Sequence, residues 1–128
     1  RLGIPQVTSS PQFWKMTATA VLERLPIKNL VVTDEESPVR AFRLVEKKFQ
    51  GVQLQPPTIT VQNDIGAGDS FFAGWLYADG EGFGFEESLV KATSVAVARC
   101  EVERPWNLRL ERVAELEKEL ATQVEKIE

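Results

Sequence analysis

The sequence contains no histidine. That excludes Ser-His-Asp triads, histidine-ligated zinc and imidazole acid–base chemistry. Any catalysis has to run on carboxylates, Lys and Arg, hydroxyls or backbone N–H groups. Cys100 is the one cysteine, so no internal disulfide forms, which fits a reducing cytoplasm. It sits in an Ala- and Val-rich run and reads as core packing, not as a reactive thiol. No apolar run reaches the ~18 residues of a membrane-spanning helix, so no membrane role is expected. Basic residues are the minority, 15 Lys and Arg against 19 Asp and Glu, for a net charge of −4. Nucleic acid needs a basic face and is not an expected partner. Glu23, Glu35 and Glu36 lack metal-ligand spacing, and no metal site is assigned. Trp14, Trp75 and Trp106 are too scattered to stack bases. The chain opens on Arg1 instead of Met and shows no signal peptide. It is therefore expected to be a cytoplasmic fragment, processed product or trimmed piece.

What is present suffices for one core. The 128 residues are 43% apolar, and a chain of that size buries roughly 70% of its unfolded surface. Ser10-Pro11 is a helix start, with Ser10 as cap and Pro11 in the first turn. Phe13, Trp14, Ala18, Val21, Leu22 and Leu25 follow at helical spacing, and Pro26 stops the helix. Residues 27–33 read as a buried parallel strand. Residues 39–45 and 52–54 alternate as a hairpin, and residues 58–61 as one more short strand. Residues 69–78 and 86–102 read as helices. A last helix, capped by Asn107, carries Leu110, Val113, Leu120, Val124 and Ile127 on one stripe. Its Glu/Lys-rich other face is a solvated surface. Alternating helices and strands argue an α/β class.

One segment carries chemistry. In Asn63-Asp64-Ile65-Gly66-Ala67-Gly68-Asp69-Ser70-Phe71, a strand, a glycine turn and a helix follow one another. The glycines let the backbone turn sharply and a ligand approach closely. The N–H groups of Gly66, Ala67, Gly68 and Asp69 fall at a helix N-terminus, where they lack intrahelical partners. Free donors and the helix dipole there favour an anion, and a migrating phosphoryl group is such an anion. A carboxylate at the edge of that nest, Asp69, is placed to orient a hydroxyl and accept its proton. The plainer reading is that Asp69 caps the helix and the glycines make a turn.

The longer string, with Ala73-Gly74 just after it, resembles the C-terminal signature of the ribokinase/PfkB carbohydrate kinases, roughly D-T-x-G-A-G-D-x-F. Asn63 and Asp64 replace the first two residues of that pattern. Leu2-Gly3-Ile4-Pro5, Leu30-Val31-Val32-Thr33 and residues 92–105, ending in Arg104-Pro105, are similar to further stretches of the family. The resemblance implies a three-layer α/β/α ribokinase-like fold. Residues 1–128 would form its C-terminal, nucleotide-side part, with the N-terminal acceptor-binding part absent. It implies an ATP-dependent phosphotransferase acting on a sugar or nucleoside alcohol, with Mg²⁺ and possible help from a monovalent cation such as K⁺ near Asn63 and Glu101. Asp69 would be the base, Gly66, Ala67 and Gly68 the anion hole, and Thr33, Asn63, Val95, Arg104 and Trp106 would lie near the nucleotide.

Two departures weigh against full function. The family's T-x-G-x-x-G turn is Thr33-Asp34-Glu35-Glu36-Ser37-Pro38 here, with both glycines replaced and three carboxylates that repel a polyanion. Trp106 stands where the family often has Gly, and would cover the adenine, block it, pack as core or cover the sheet edge. No Asn-x-x-Glu, the family's Mg²⁺-organising motif, occurs in residues 1–33. The chain alone is therefore expected to be inactive, and to pair with another copy, with the missing half or with a partner chain. The alternative is a non-catalytic nucleotide- or phosphate-binding module, or a structural remnant.

Overall fold

The computed structural model describes residues 10–34 and 37–128. Expectations for Leu2–Pro5 and for Glu35 and Glu36 lie outside the described residues. Helix α1 (Pro11–Arg24) begins as its sequence dictates: Ser10 Oγ accepts from the Phe13 amide at 3.4 Å and Pro11 occupies the first turn. Strands β1 (Leu30–Val32), β2 (Val39–Val45), β3 (Lys48–Leu54) and β4 (Glu125–Ile127) form one sheet in the order β1-β2-β3-β4, every neighbour antiparallel. Helices α2 (Ala67–Gly80), α3 (Phe85–Cys100) and α4 (Leu110–Ala121) complete the fold.

Alternation along β2 sorts the core into two sides. Phe42 faces α1, where Ala18, Leu22 and Ile127 are buried and Trp14 stacks on the Phe42 ring at 5.8 Å. Val39 and Ala41 face the other way, onto Phe71 and Trp75 of α2 and Leu89 of α3. Helices therefore cover both faces of the sheet, and the three-layer mixed α/β expectation holds. α2 and α3 meet unusually closely: a Cβ added at Gly74 would stand 3.0 Å from the Ala92 Cα. Gly74 is the second residue of the Ala73-Gly74 pair, and its missing side chain sets that approach. Arg112 ties α4 to the end of α3, donating to both carboxylate oxygens of Glu101 at 2.7 and 2.9 Å.

Four expectations need correction. Residues 27–33 do not form a buried parallel strand: β1 spans three half-buried residues and runs antiparallel to β2. A continuous apolar run does not report direction, and the neighbouring hairpin supplies the partner. Residues 58–61 join no ladder, because Pro56 and Pro57 break the approach to the sheet. The last helix ends at Ala121; Leu110 is exposed, and Ile127 is buried through β4, not through α4. Asn107 lies in a short 3₁₀ turn, and Arg109 precedes α4 without a side-chain cap.

Candidate phosphate corner and adjoining cleft

The segment leading into α2 is moored to the far end of α3. The backbone amides of Gln62 and Asn63 both donate to the Cys100 carbonyl, at 2.8 and 3.3 Å. The Asn63 side chain donates to the Glu103 carbonyl at 2.9 Å and accepts from the Ile65 amide at 3.0 Å. Asn63 thus closes a local turn with its own backbone, as Asn does readily. The Cys100 and Glu103 carbonyls, close to where a monovalent cation was expected, both accept these hydrogen bonds.

Gly66 then turns the chain with φ +84°, a left-handed conformation that costs other residues energy. The helix starts immediately afterwards. The Ala67 amide donates to the Asp64 carbonyl at 3.1 Å, so one of the four donors expected to be free is taken by the turn itself. The Gly68 and Asp69 amides have no acceptor among the described residues. A Cβ placed on Gly66 or Gly68 would meet nothing within 4 Å. Internal packing therefore does not require glycine at position 68. The Asp69 carboxylate is exposed and has no ion-pair partner among the described residues.

Beside this corner lies a cleft of about 500 Å³. Its walls come from Thr33, Val39 on β2, residues 55–59 and 61, Ala67, Gly68 and Phe71 at the start of α2, and one face of α3. That face is Thr93, Ala96, Val97 and Cys100, spaced as one side of a helix. Burial pushes the Cys100 thiol above its ordinary pKa, and the nearby Asp64 and Glu101 carboxylates add to the shift while Arg99 opposes it. The thiol therefore stays protonated at neutral pH. A larger groove of about 620 Å³ touches Lys15, Arg43, Gly84 and Glu86, but none of its lining belongs to the glycine corner.

Of the residues singled out by sequence, Thr33, Ala67 and Gly68 come together on the cleft wall. Asp69 stands next to them on an exposed surface of α2. Val95 faces α2, its Cγ2 3.5 Å from the position of a Gly74 Cβ, and is off the cleft lining. Arg104 lies over the Trp106 ring at 5.4 Å, and Trp106 is 73% exposed, which removes core packing as its role. Thr93, Ala96, Val97 and Cys100 were missed as a group. Their signal was the i, i+3, i+4, i+7 spacing, which a buried helix face shares.

Among the described residues no cluster of three or more acidic, Cys or His side chains is arranged to hold a metal ion. No described helix is long and apolar enough to cross a membrane.

Comparison with known proteins bears on the family and the fold. The family profile described as pfkB family carbohydrate kinase matches residues 7–107. A carbohydrate kinase from Agrobacterium tumefaciens has a similar structure, with a TM-score of 0.62 and 25% identity over 94% of this chain. A putative phosphofructokinase from Staphylococcus aureus is similar over 77% of the chain, with a TM-score of 0.59 and 19% identity. The chain spans 37% and 29% of those two proteins, respectively. No curated protein matches it.

Proposed function

Because the chain belongs to the pfkB family of carbohydrate kinases, we propose that it is the nucleotide-side part of an ATP-dependent phosphotransferase whose acceptor is a sugar or nucleoside alcohol. The observation that carries this reading is the α2 corner. Two amides without acceptors, at Gly68 and Asp69, stand at a helix N-terminus beside open space and an exposed carboxylate.

In this reading the Gly68 and Asp69 amides donate to the oxygens of the transferred phosphoryl group. Charge spread over those oxygens in a loose transition state is stabilised by donors already in place. The Asp69 carboxylate orients the acceptor hydroxyl and takes its proton. The acceptor oxygen bonds to the γ-phosphorus as the bond to the leaving ADP oxygen breaks. Mg²⁺, when bound to the donor phosphates, would offset their charge. Thr33, on the cleft wall, lies toward the nucleotide.

A second reading is a nucleotide- or phosphate-binding module without turnover. Two observations favour it for the chain taken alone. It spans only 37% and 29% of the two kinases it resembles, and no glycine occurs from Thr33 to Pro38. The two readings separate by transfer of labelled γ-phosphate from ATP to a panel of sugars and nucleosides. This is measured with the 128 residues alone and with the longest protein that contains them. Labelled phosphate ester from the longer protein supports the kinase. ATP binding without any ester from either supports the module.

A further inference from the structure

We infer that the free edge of β1 and the outer stripe of α2 together form an interface with a second copy of this chain, the two β1 strands pairing antiparallel across a two-fold axis. This contact holds whether or not the α2 corner binds phosphate.

The edge and the stripe lie on one flank of the molecule. Gly74 of α2 faces α3. The opposite side of α2 carries Phe72, Leu76 and Asp79, spaced i, i+4, i+7 as one helix face. The Asp79 carboxylate pairs with the Lys28 ammonium, two residues before β1, at 3.4 Å. That contact turns the stripe toward β1. Phe72 and Leu76 are exposed, while Val31 of β1 packs against the core that holds Phe71 and Trp75. An apolar helix face and an unpaired strand edge are therefore continuous, and a surface of that kind is one that another body covers.

The two edges of the sheet differ. β4 carries Glu125 and Lys126, charges of the kind that keep an edge from pairing. β1 is Leu30-Val31-Val32, in unbroken register with β2 and without charge, proline or bulge to protect its other side. Its sequence is complementary to itself. With Val31 opposite Val31 of a second copy, Leu30 meets Val32 and Asn29 meets Thr33, so apolar faces apolar and polar faces polar. Lys28 and Asp34, just outside the two ends, carry opposite charges. Antiparallel pairing brings Lys28 near the partner's Asp34 at each end, and opposite charges across a strand pair stabilise it. Parallel pairing would set like charge beside like. Asp34 is exposed and joins no ion pair among the described residues. The axis crosses the sheet at Val31, so both α2 helices fall on the same face and their Phe72–Leu76 stripes close on each other. Such an isologous contact is complete at two copies.

The test is sedimentation velocity over a range of concentrations, with hydrogen exchange of the β1 amides, on the full chain and on charge reversals at its strand ends. The expected result is a monomer–dimer equilibrium in which exchange at residues 30–32 slows as the dimer forms. Lys28→Asp or Asp34→Lys alone should weaken the dimer roughly 5- to 30-fold, because two like-charged pairs replace two attractive ones. The two changes together should restore it to within about threefold. Both side chains are exposed, so neither change should unfold the chain. A parent that stays monomeric at every concentration overturns the inference. So does a dimer that ignores the single reversals, or whose β1 amides exchange as in the monomer, since it forms through another face. Protected β1 amides in a monomer overturn it as well, and assign the edge to a segment of the same chain.

Discussion

Gly66 and Gly68 are glycines for different reasons. At Gly66 the backbone demands it: φ is +84°, where a side chain costs roughly 1–2 kcal/mol. At Gly68 neither the backbone nor packing does, since a Cβ there would enter open space. A methyl group at that point stands where an anion would meet the Gly68 amide. Gly68→Ala should therefore leave the melting temperature unchanged or raise it slightly, because alanine favours the helix by about 0.5–1 kcal/mol. The same change should weaken ATP binding roughly 10- to 100-fold, the worth of one charge-assisted hydrogen bond. Differential scanning fluorimetry with calorimetry checks both arms. Equal ATP affinity in parent and variant would mean that no ligand approaches that amide.

The elements divide by how locally their causes act. α1 was legible, its start to the residue and its stop within one, because Ser10, Pro11 and Pro26 act through short-range sterics and capping; the helix ends at Arg24, with Leu25 already extended. The glycine turn and the helix after it were legible too, since Gly66 and the following helix formers act within a few residues; the strand expected before them at residues 58–61 does not form. Strand direction was not. The apolar run at residues 27–33 looks the same whether its neighbour runs parallel or antiparallel, and only the β2–β3 hairpin decides. The α3 face of Thr93, Ala96, Val97 and Cys100 was also hidden, because small and apolar side chains line clefts and cores alike. The hairpin itself turns on Glu46 and Lys47, at φ 51° and 67°, a two-residue connection that favours Asn and Gly. Its strands were found without that signal. Relieving the second residue with Lys47→Gly should raise unfolding stability by about 1 kcal/mol. Urea denaturation checks it, and a loss of stability would mean that the Lys47 side chain makes compensating contacts.

At the scale of the whole molecule, the sheet and helices leave apolar surface outside. Phe72, Leu76 and Tyr77 of α2 are 63%, 54% and 63% exposed, and Ile65 just before the helix is 74% exposed. Phe72 and Leu76 lie one turn apart, three and seven residues beyond Asp69, so the carboxylate shares their side of α2. β1 pairs only with β2 among the described strands. Exposed apolar patches of this kind mark surfaces that another body covers, and a body seated there would bring its own groups to Asp69. The 128 residues alone should accordingly self-associate as concentration rises. Phe72→Lys with Leu76→Glu should suppress this, as read by sedimentation velocity. A parent that stays monomeric at all concentrations would show that this surface needs no partner.

The central claim is that the Asp69 carboxylate draws the proton from an alcohol while the neighbouring amides hold the phosphoryl group. The most direct measurement is single-turnover phosphoryl transfer by Asp69→Asn in the longest protein that contains these residues, alongside ATP affinity. The expected result is a rate lower by roughly 10²- to 10⁴-fold, the range for loss of a positioned base, with ATP affinity nearly unchanged. Transfer at close to the parental rate would contradict the claim.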